Sequence, residues 1–306
     1  MRIIVHGQQA FGKSVLEALL DRGEDVVGVY CAPDAEGRAP DPIKQCAVER
    51  GLPVHQPRSY RKPETAGQMA SLRPDLCVMA YVTAFVPEAV LNVPAHGSIQ
   101  YHPSLLPRHR GGSSINWPII WGETKTGLSI FWPDDGLDEG PVLMQKEVEI
   151  TDDDTLGSLY FNQLFPLGVE AMLESVDLVR DGKAPKMAQD HSQATYEGWC
   201  RGDLVRINWH MPTQTTWNLI RGCNPAPGAW TIHDDGAKVA IFDCAKVPEA
   251  RSVQPGEITR VGDDGVRVAT ADGQILVKRV RPDGGKKVPA AEWAAQAGLA
   301  AGARLK

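Results

Sequence analysis

Short apolar runs punctuate the first third of the chain, and amphipathic stretches separate them. Residues 2–6 form a near-continuous apolar run and predict a strand buried on both faces. Residues 13–22 predict a helix that stops at Gly23. A second buried strand is expected at 25–30, a helix at 43–50, and further strands at 76–80 and 97–101. This alternation predicts an α/β domain: a mostly parallel sheet with helices on both faces. Beyond residue 111 the pattern predicts a helix at 113–121, strands at 126–132 and 142–150, and a long amphipathic helix at 155–180. The polar stretch 181–197 reads as a linker. Short strands at 237–243, 255–261, 265–269 and 274–280, spaced by Asp-Gly turns, predict a smaller β-barrel of OB-like size. The expected domains are therefore 1–185, a linker at 186–204, and 205–306.

Composition changes this picture little. The 306 residues carry a net charge of −6, so no overall field draws the chain to nucleic acid or to an anionic membrane. No apolar run approaches the roughly 20 residues of a membrane span. The six cysteines, at 31, 46, 77, 200, 223 and 244, form no C-x-x-C pair and no zinc-like cluster. They are expected to be reduced, mostly buried thiols of a cytoplasmic protein without a bound metal. Met1 leads straight into a strand, so no signal peptide is expected.

Two stretches carry candidate chemistry. Gly7-Gln-Gln-Ala-Phe-Gly-Lys-Ser14 matches G-x-x-x-x-G-K-S, the phosphate-cradling loop of nucleotide triphosphatases. Strands 25–30 and 76–80 carry their acids at the start, at Asp25 and Asp75, rather than at the end where magnesium would be held. A tight strand-to-helix turn with a solvated Lys13 is the expected reading; binding of some other anion, or of a nucleotide, stays open. The second stretch, 96–140, is the densest in polar groups. Gln100 and His102 stand two apart at a predicted strand end and so face the same side. Asp134-Asp-Gly-Leu-Asp138 follows in a loop between strands. An amide, an imidazole and a carboxylate suit acyl chemistry. The amide holds an oxyanion, the imidazole exchanges protons, and the carboxylate orients the ring. A hydrogen-bonded strand-end histidine beside an Asp-rich turn is the competing reading. Arg108-His-Arg110 reads as a solvated turn before it reads as a grip on an anionic tail. The eight tryptophans are expected in cores and domain contacts.

Tyr101-His-Pro-Ser-Leu-Leu-Pro-Arg-His-Arg-Gly111 together with Asp135-Gly-Leu-Asp-Glu-Gly140 resembles the folate-dependent formyltransferase family. That family includes methionyl-tRNA formyltransferase and the N-terminal hydrolase domain of 10-formyltetrahydrofolate dehydrogenase, which the chain most resembles. Ile130-Phe-Trp132, Ala194-Thr-Tyr-Glu-Gly198, Arg206-Ile-Asn-Trp209, Ile220-Arg-Gly222 and Pro227-Gly-Ala-Trp230 extend the resemblance over nearly the whole chain. It implies a Rossmann-like formyltransferase fold and chemistry on 10-formyltetrahydrofolate as co-substrate, with no metal. It places the catalytic His on His102 and the Asp on Asp138. Gln100 stands where the family's Asn would be; Gln keeps the amide and adds a methylene, about 1.5 Å of reach. The pterin is expected among Tyr81, Thr83, Ala84, Phe85, Leu105, Asp134, Asp135, Gly136 and Leu137. Hydrolysis to formate and tetrahydrofolate is the first expectation, and transfer to a small amine the second. The carrier and oxidising domains of that dehydrogenase lie outside these 306 residues, so NADP-linked oxidation is not expected. The loop 31–42 holds one Arg against Asp34, Glu36 and Asp41, which weighs against tRNA as acceptor. A non-catalytic folate binder ranks last, because both His102 and Asp138 are present.

Overall fold

The computed structural model describes residues 1–234, 236–249 and 252–306. In chain order the first elements are β1 (Arg2–Gly7), α1 (Gln9–Asp21), β2 (Asp25–Tyr30), α2 (Pro42–Glu49), β3 (Val54–His55), α3 (Pro63–Ser71), β4 (Leu76–Ala80), α4 (Glu88–Leu91) and β5 (Ser98–His102). They continue with α5 (Asn116–Ile120), β6 (Lys125–Phe131), β7 (Val142–Glu149), α6 (Leu156–Leu159), a π-helical turn at Tyr160–Leu164, and α7 (Phe165–Arg180). The chain divides into two compact units: Met1–Gly111, Gly127–Val148 and Asn162–Tyr196 form the first; Gly112–Thr126, Glu149–Phe161 and Glu197–Lys306 form the second.

The first unit is built on a seven-stranded sheet of order β3-β2-β1-β4-β5-β6-β7. Strands β1 to β5 run parallel, and β6 is antiparallel to β5. The apolar runs of β1 and β4 are continuous because both faces of the sheet are covered. Ile3 and Val5 pack with Phe11, Leu16 and Met172 on one face. Ile4, Cys77 and Met79 pack with Tyr60, Met69 and Leu91 on the other. Each such side chain, fully withdrawn from water, contributes about 1.5–3 kcal/mol. Tyr30, His6, Met79, Gln100 and Phe131 lie in register across five adjacent strands. Ile99 and Tyr101 belong to the first face, so Gln100 and His102 project from the second, the face that also carries His6. Strand order reverses between β1 and β4, the crevice where open α/β sheets take their ligands.

The second unit adds α8 (Thr213–Gly222), β8 (Ala229–Ile232), β9 (Lys238–Ile241), β10 (Cys244–Val247), β11 (Ile258–Gly262), β12 (Gly265–Ala269), β13 (Gln274–Val277), β14 (Arg279–Pro282), β15 (Val288–Pro289) and α9 (Ala290–Gln296). Its strands form two four-stranded sheets, β10-β13-β12-β11 and β15-β14-β9-β8. Only Lys278 separates β13 from β14, so the chain steps there from one sheet to the other. Both sheets feed one core of Ile258, Val268, Ile275, Val239, Ile241 and Val280. The expected small β domain is present, as two antiparallel sheets around a shared core.

Three expectations need correction. The first helix starts at Gln9, four residues earlier than its apolar pattern suggests. The single helix expected from 155 is interrupted by the π turn. The helix expected over 113–121 is trimmed to Asn116–Ile120.

Candidate active site

The early start of α1 settles what the glycine-lysine motif does locally. Gly12, Lys13 and Ser14 lie inside the helix, so no loop wraps a phosphate there. The glycines serve a close crossing instead. A Cβ on Gly7 would sit 2.6 Å from the Ala80 carbonyl oxygen, and one on Gly12 would sit 3.1 Å from the Gly7 carbonyl carbon. Lys13 pairs with Glu17 on the half-exposed helix surface at 3.6 Å. The helix N-terminus already has an anion: the Asp41 carboxylate accepts from the Gln9 N–H at 2.7 Å and from the Ile43 N–H at 3.0 Å.

The second polar stretch converges. His102 ends β5 and is 5% exposed. Its Nε2 lies 2.8 Å from the His109 carbonyl oxygen. A carbonyl can only accept, so Nε2 carries the proton and Nδ1 is the nitrogen turned to the site. Nδ1 faces Asp138 Oδ2 at 3.5 Å, and the Asp138 side chain is itself 10% exposed. The same Asp138 oxygen accepts from the Gly111 N–H at 2.7 Å. The segment 109–111 therefore grips the imidazole with a carbonyl and the carboxylate with an amide. His109 and Asp138 both have positive φ, 55° and 56°, and so does Tyr81, at 64°. Non-glycine residues in this region cost about 1–3 kcal/mol each and persist where their surroundings fix them, commonly at functional sites. The third expected group, Gln100, sits two residues before His102 on the same face and is half-buried.

The expected folate residues fall into two groups. Tyr81, Thr83, Ala84 and Phe85 line a cavity of about 380 Å³, together with His6, Gln8, Arg58, Tyr60 and Arg61. Asp134, Asp135, Gly136, Leu137 and Leu105 are not part of its lining. The two loops are joined nonetheless, because Asp135 Oδ1 accepts from the Glu88 N–H at 3.0 Å. Asp134 folds its own turn by accepting from the Gly136 N–H. Leu105 lies against Gly127 of β6. Phe85 and Leu137 are 50% and 57% exposed, which leaves apolar surface available on both loops. Within the cavity wall, His6 Nε2 and the Tyr60 hydroxyl lie 2.8 Å apart. Burial pushes the His6 imidazole down to about 3, so the ring is neutral at physiological pH.

Arg110 corrects the expectation of a solvated turn. It is 1% exposed, and its guanidinium donates to Gln189 Oε1 from Nε at 3.2 Å and from Nη2 at 2.7 Å. Nη1 donates to the Tyr196 hydroxyl, which donates in turn to Glu139 Oε1 at 2.6 Å. Gln189 Nε2 donates to the carbonyls of Asp138 and Gly140 at 2.9 and 2.7 Å. None of this was legible beforehand beyond the quoted 194–198 motif that contains Tyr196. Among the described residues, no group of three or more His, Cys, Asp or Glu side chains is placed to hold a metal ion. All six cysteines are free; five are buried, and Cys244 is partly so. No helix among the described residues is long and apolar enough to cross a membrane.

Comparison with known proteins matches this arrangement to a family. The formyl transferase profile covers residues 1–176, and the formyl transferase C-terminal domain profile covers 203–298. The chain belongs to the formyltransferase family. It is 39% identical over 309 aligned residues to cytosolic 10-formyltetrahydrofolate dehydrogenase of Mus musculus, covering 96% of this chain and 34% of that one. The chain thus spans about a third of the length of the dehydrogenases it matches. It is 37% identical to methionyl-tRNA formyltransferase of Trichlorobacter lovleyi, covering 99% of this chain and 96% of that protein. The crystal structure of HypX from Aquifex aeolicus in complex with tetrahydrofolic acid superposes with a TM-score of 0.69 at 20% identity. That match covers 97% of this chain and 47% of HypX, and it establishes the shared formyltransferase fold.

Proposed function

We propose that this formyltransferase-family chain attacks the formyl group of 10-formyltetrahydrofolate, and that water is its first nucleophile. The observation that carries the reading is the His102–Asp138 pair: Nδ1 and Oδ2 at 3.5 Å, both side chains nearly withdrawn from solvent, at the ligand-binding edge of the sheet. Water adds to the formyl carbon and forms a C–O bond as one of its protons passes to His102 Nδ1, the unprotonated ring nitrogen, and the carbonyl π pair moves onto oxygen. The oxyanion is held by the Gln100 amide and the His102 Nδ1–H. The C–N10 bond then breaks, and the nitrogen takes its proton from His102. Formate and tetrahydrofolate leave. Asp138 balances the charge of the imidazolium and keeps Nδ1 aimed at the reacting centre. In this reading the folate ring lies between the loops 81–87 and 134–138, whose apolar tips are exposed.

Two features favour water over an amine. Gln100 stands where the family has Asn, and its amide carries one more methylene of reach. Of the relatives named above, the dehydrogenase has the higher identity. One observation favours transfer as the second reading. The cavity bearing Arg58 and Arg61 is lined by His6, which shares a sheet face with Gln100 two strands away, and it is large enough for a small anionic amine. Incubation with 10-formyltetrahydrofolate alone separates the two. Steady release of tetrahydrofolate without added amine is expected; release only on addition of an amine would replace hydrolysis with transfer.

A further inference from the structure

Behind the 134–140 loop, the buried Arg110 and Gln189 and the half-exposed Tyr196 form one hydrogen-bonded cluster, and it points at one catalytic side chain. Asp138, Glu139 and Gly140 are each held. Gln189 Nε2 binds the carbonyls of Asp138 and Gly140, and Tyr196 binds the Glu139 carboxylate. From the other side, the Gly111 N–H binds Asp138 Oδ2. Arg110 ties these groups together. Its backbone N–H donates to the Thr195 carbonyl at 3.0 Å, and its guanidinium reaches Gln189 and Tyr196 at once. His191 Nδ1 lies 3.4 Å from Nη2, the Tyr196 ring stands 5.3 Å from the guanidinium carbon, and Glu139 Oε1 supplies the nearby countercharge at 3.8 Å.

We propose that Gln189, oriented by Arg110, is a positioning residue for catalysis: it fixes the backbone of Asp138 so that its carboxylate meets His102 Nδ1. Resting on the functional reading above, this assigns a role to residues 51 and 28 positions away from Asp138 in the chain. Three facts carry it. First, Asp138 adopts a left-handed conformation that is uncommon for any residue but glycine, and the Gln189 clamp falls on that residue's carbonyl. Second, a carboxamide is the side chain that can accept from a guanidinium while donating to two carbonyls. Third, 3.5 Å between Nδ1 and Oδ2 is a loose contact, so a small shift of the loop changes it from productive to broken.

Gln189→Glu separates positioning from packing. Its carboxylate keeps the bonds from Arg110 but turns an acceptor toward the Asp138 and Gly140 carbonyls. If Gln189 served only to bury Arg110, this variant would be tolerated. The expected result is a loss of about 100-fold in kcat, the scale of a 1 Å misplacement, with KM within about threefold of wild type. Gln189→Met, which removes the donors and the acceptor, should behave alike. Arg110→Lys keeps the charge but not the fork and should lose about tenfold in kcat. Amide hydrogen exchange over 136–140 should quicken at least tenfold in Gln189→Glu, a readout independent of turnover. Unchanged exchange, wild-type kcat in Gln189→Glu, or a parallel fall of kcat and folate affinity would overturn the assignment. Wild-type protein that is silent toward 10-formyltetrahydrofolate, with or without amines, would sink the functional reading, while the exchange measurement would still judge the clamp. Should the Gln189 variants not fold, a fully active Arg110→Lys enzyme would overturn it.

Discussion

Replacing His6 with Gln should flatten the acid limb of the protein's stability. His6 is the penultimate residue of β1, is buried, and is pushed down to about 3 from its usual 6.5 because burial penalises the charged ring. Unfolding exposes the ring and restores the ordinary value. Between about pH 6.5 and 3 the unfolded chain therefore binds one proton that the folded chain refuses. By linkage, stability falls as pH falls through that window, and none of this contribution is lost above pH 6.5. At pH 5 the deficit covers 1.5 pH units, about 2 kcal/mol at 1.36 kcal/mol per unit. Urea unfolding of wild type and His6→Gln at pH 7.5 and pH 5.0 isolates the term, because the other titrating groups are common to both chains. Wild type should lose about 2 kcal/mol more than the variant between these pH values. Equal losses would refute the reasoning, since they would mean that His6 is solvated or already charged in the folded protein.

Asp41→Ala removes one carboxylate that serves the starts of two helices, at Gln9 and Ile43. Stability should fall by about 1–2 kcal/mol in denaturant titration, with no effect on chemistry at His102. ATP and GTP should leave the melting temperature unchanged, because Gly12-Lys-Ser14 is helix rather than loop; a folate analogue at 100 times its Kd should add about 2.7 kcal/mol of stability. Gln100→Asn withdraws the amide by one methylene and should raise transfer to an added small amine relative to hydrolysis; an unchanged ratio of products would remove Gln100 from the explanation of nucleophile choice.

How much was legible depended on whether a signal was local. Strands 25–30 and 76–80 were readable to the residue, because sheet coverage on both faces writes an uninterrupted apolar run into the sequence. Helix α3, Pro63–Ser71, was not anticipated: Thr65 and Met69 are its only buried residues, and Gly67 and Ser71 give it little helical character. The two-residue β3 is too short to show a period. The π turn at Tyr160–Leu164 shifts one helical register, which apolar spacing over 155–180 averages away. At the site, the two-residue spacing of Gln100 and His102 gave their shared face directly. Asp138 required the family resemblance, and the structure brings its carboxylate to His102. The Arg110 cluster stayed hidden because its partners Gln189 and Tyr196 lie 79 and 86 residues away. An arginine in a polar turn carries no local mark of burial.

Formyl chemistry at one imidazole and one carboxylate is the central claim. The most direct measurement is the rate of tetrahydrofolate and formate release from 10-formyltetrahydrofolate by wild type, His102→Ala and Asp138→Asn, with folate-analogue binding measured on each. Turnover by wild type, its loss in both variants, and retained analogue binding are the predicted result. Turnover that survives His102→Ala, or a wild-type protein that releases neither product with water or with any amine, would contradict it.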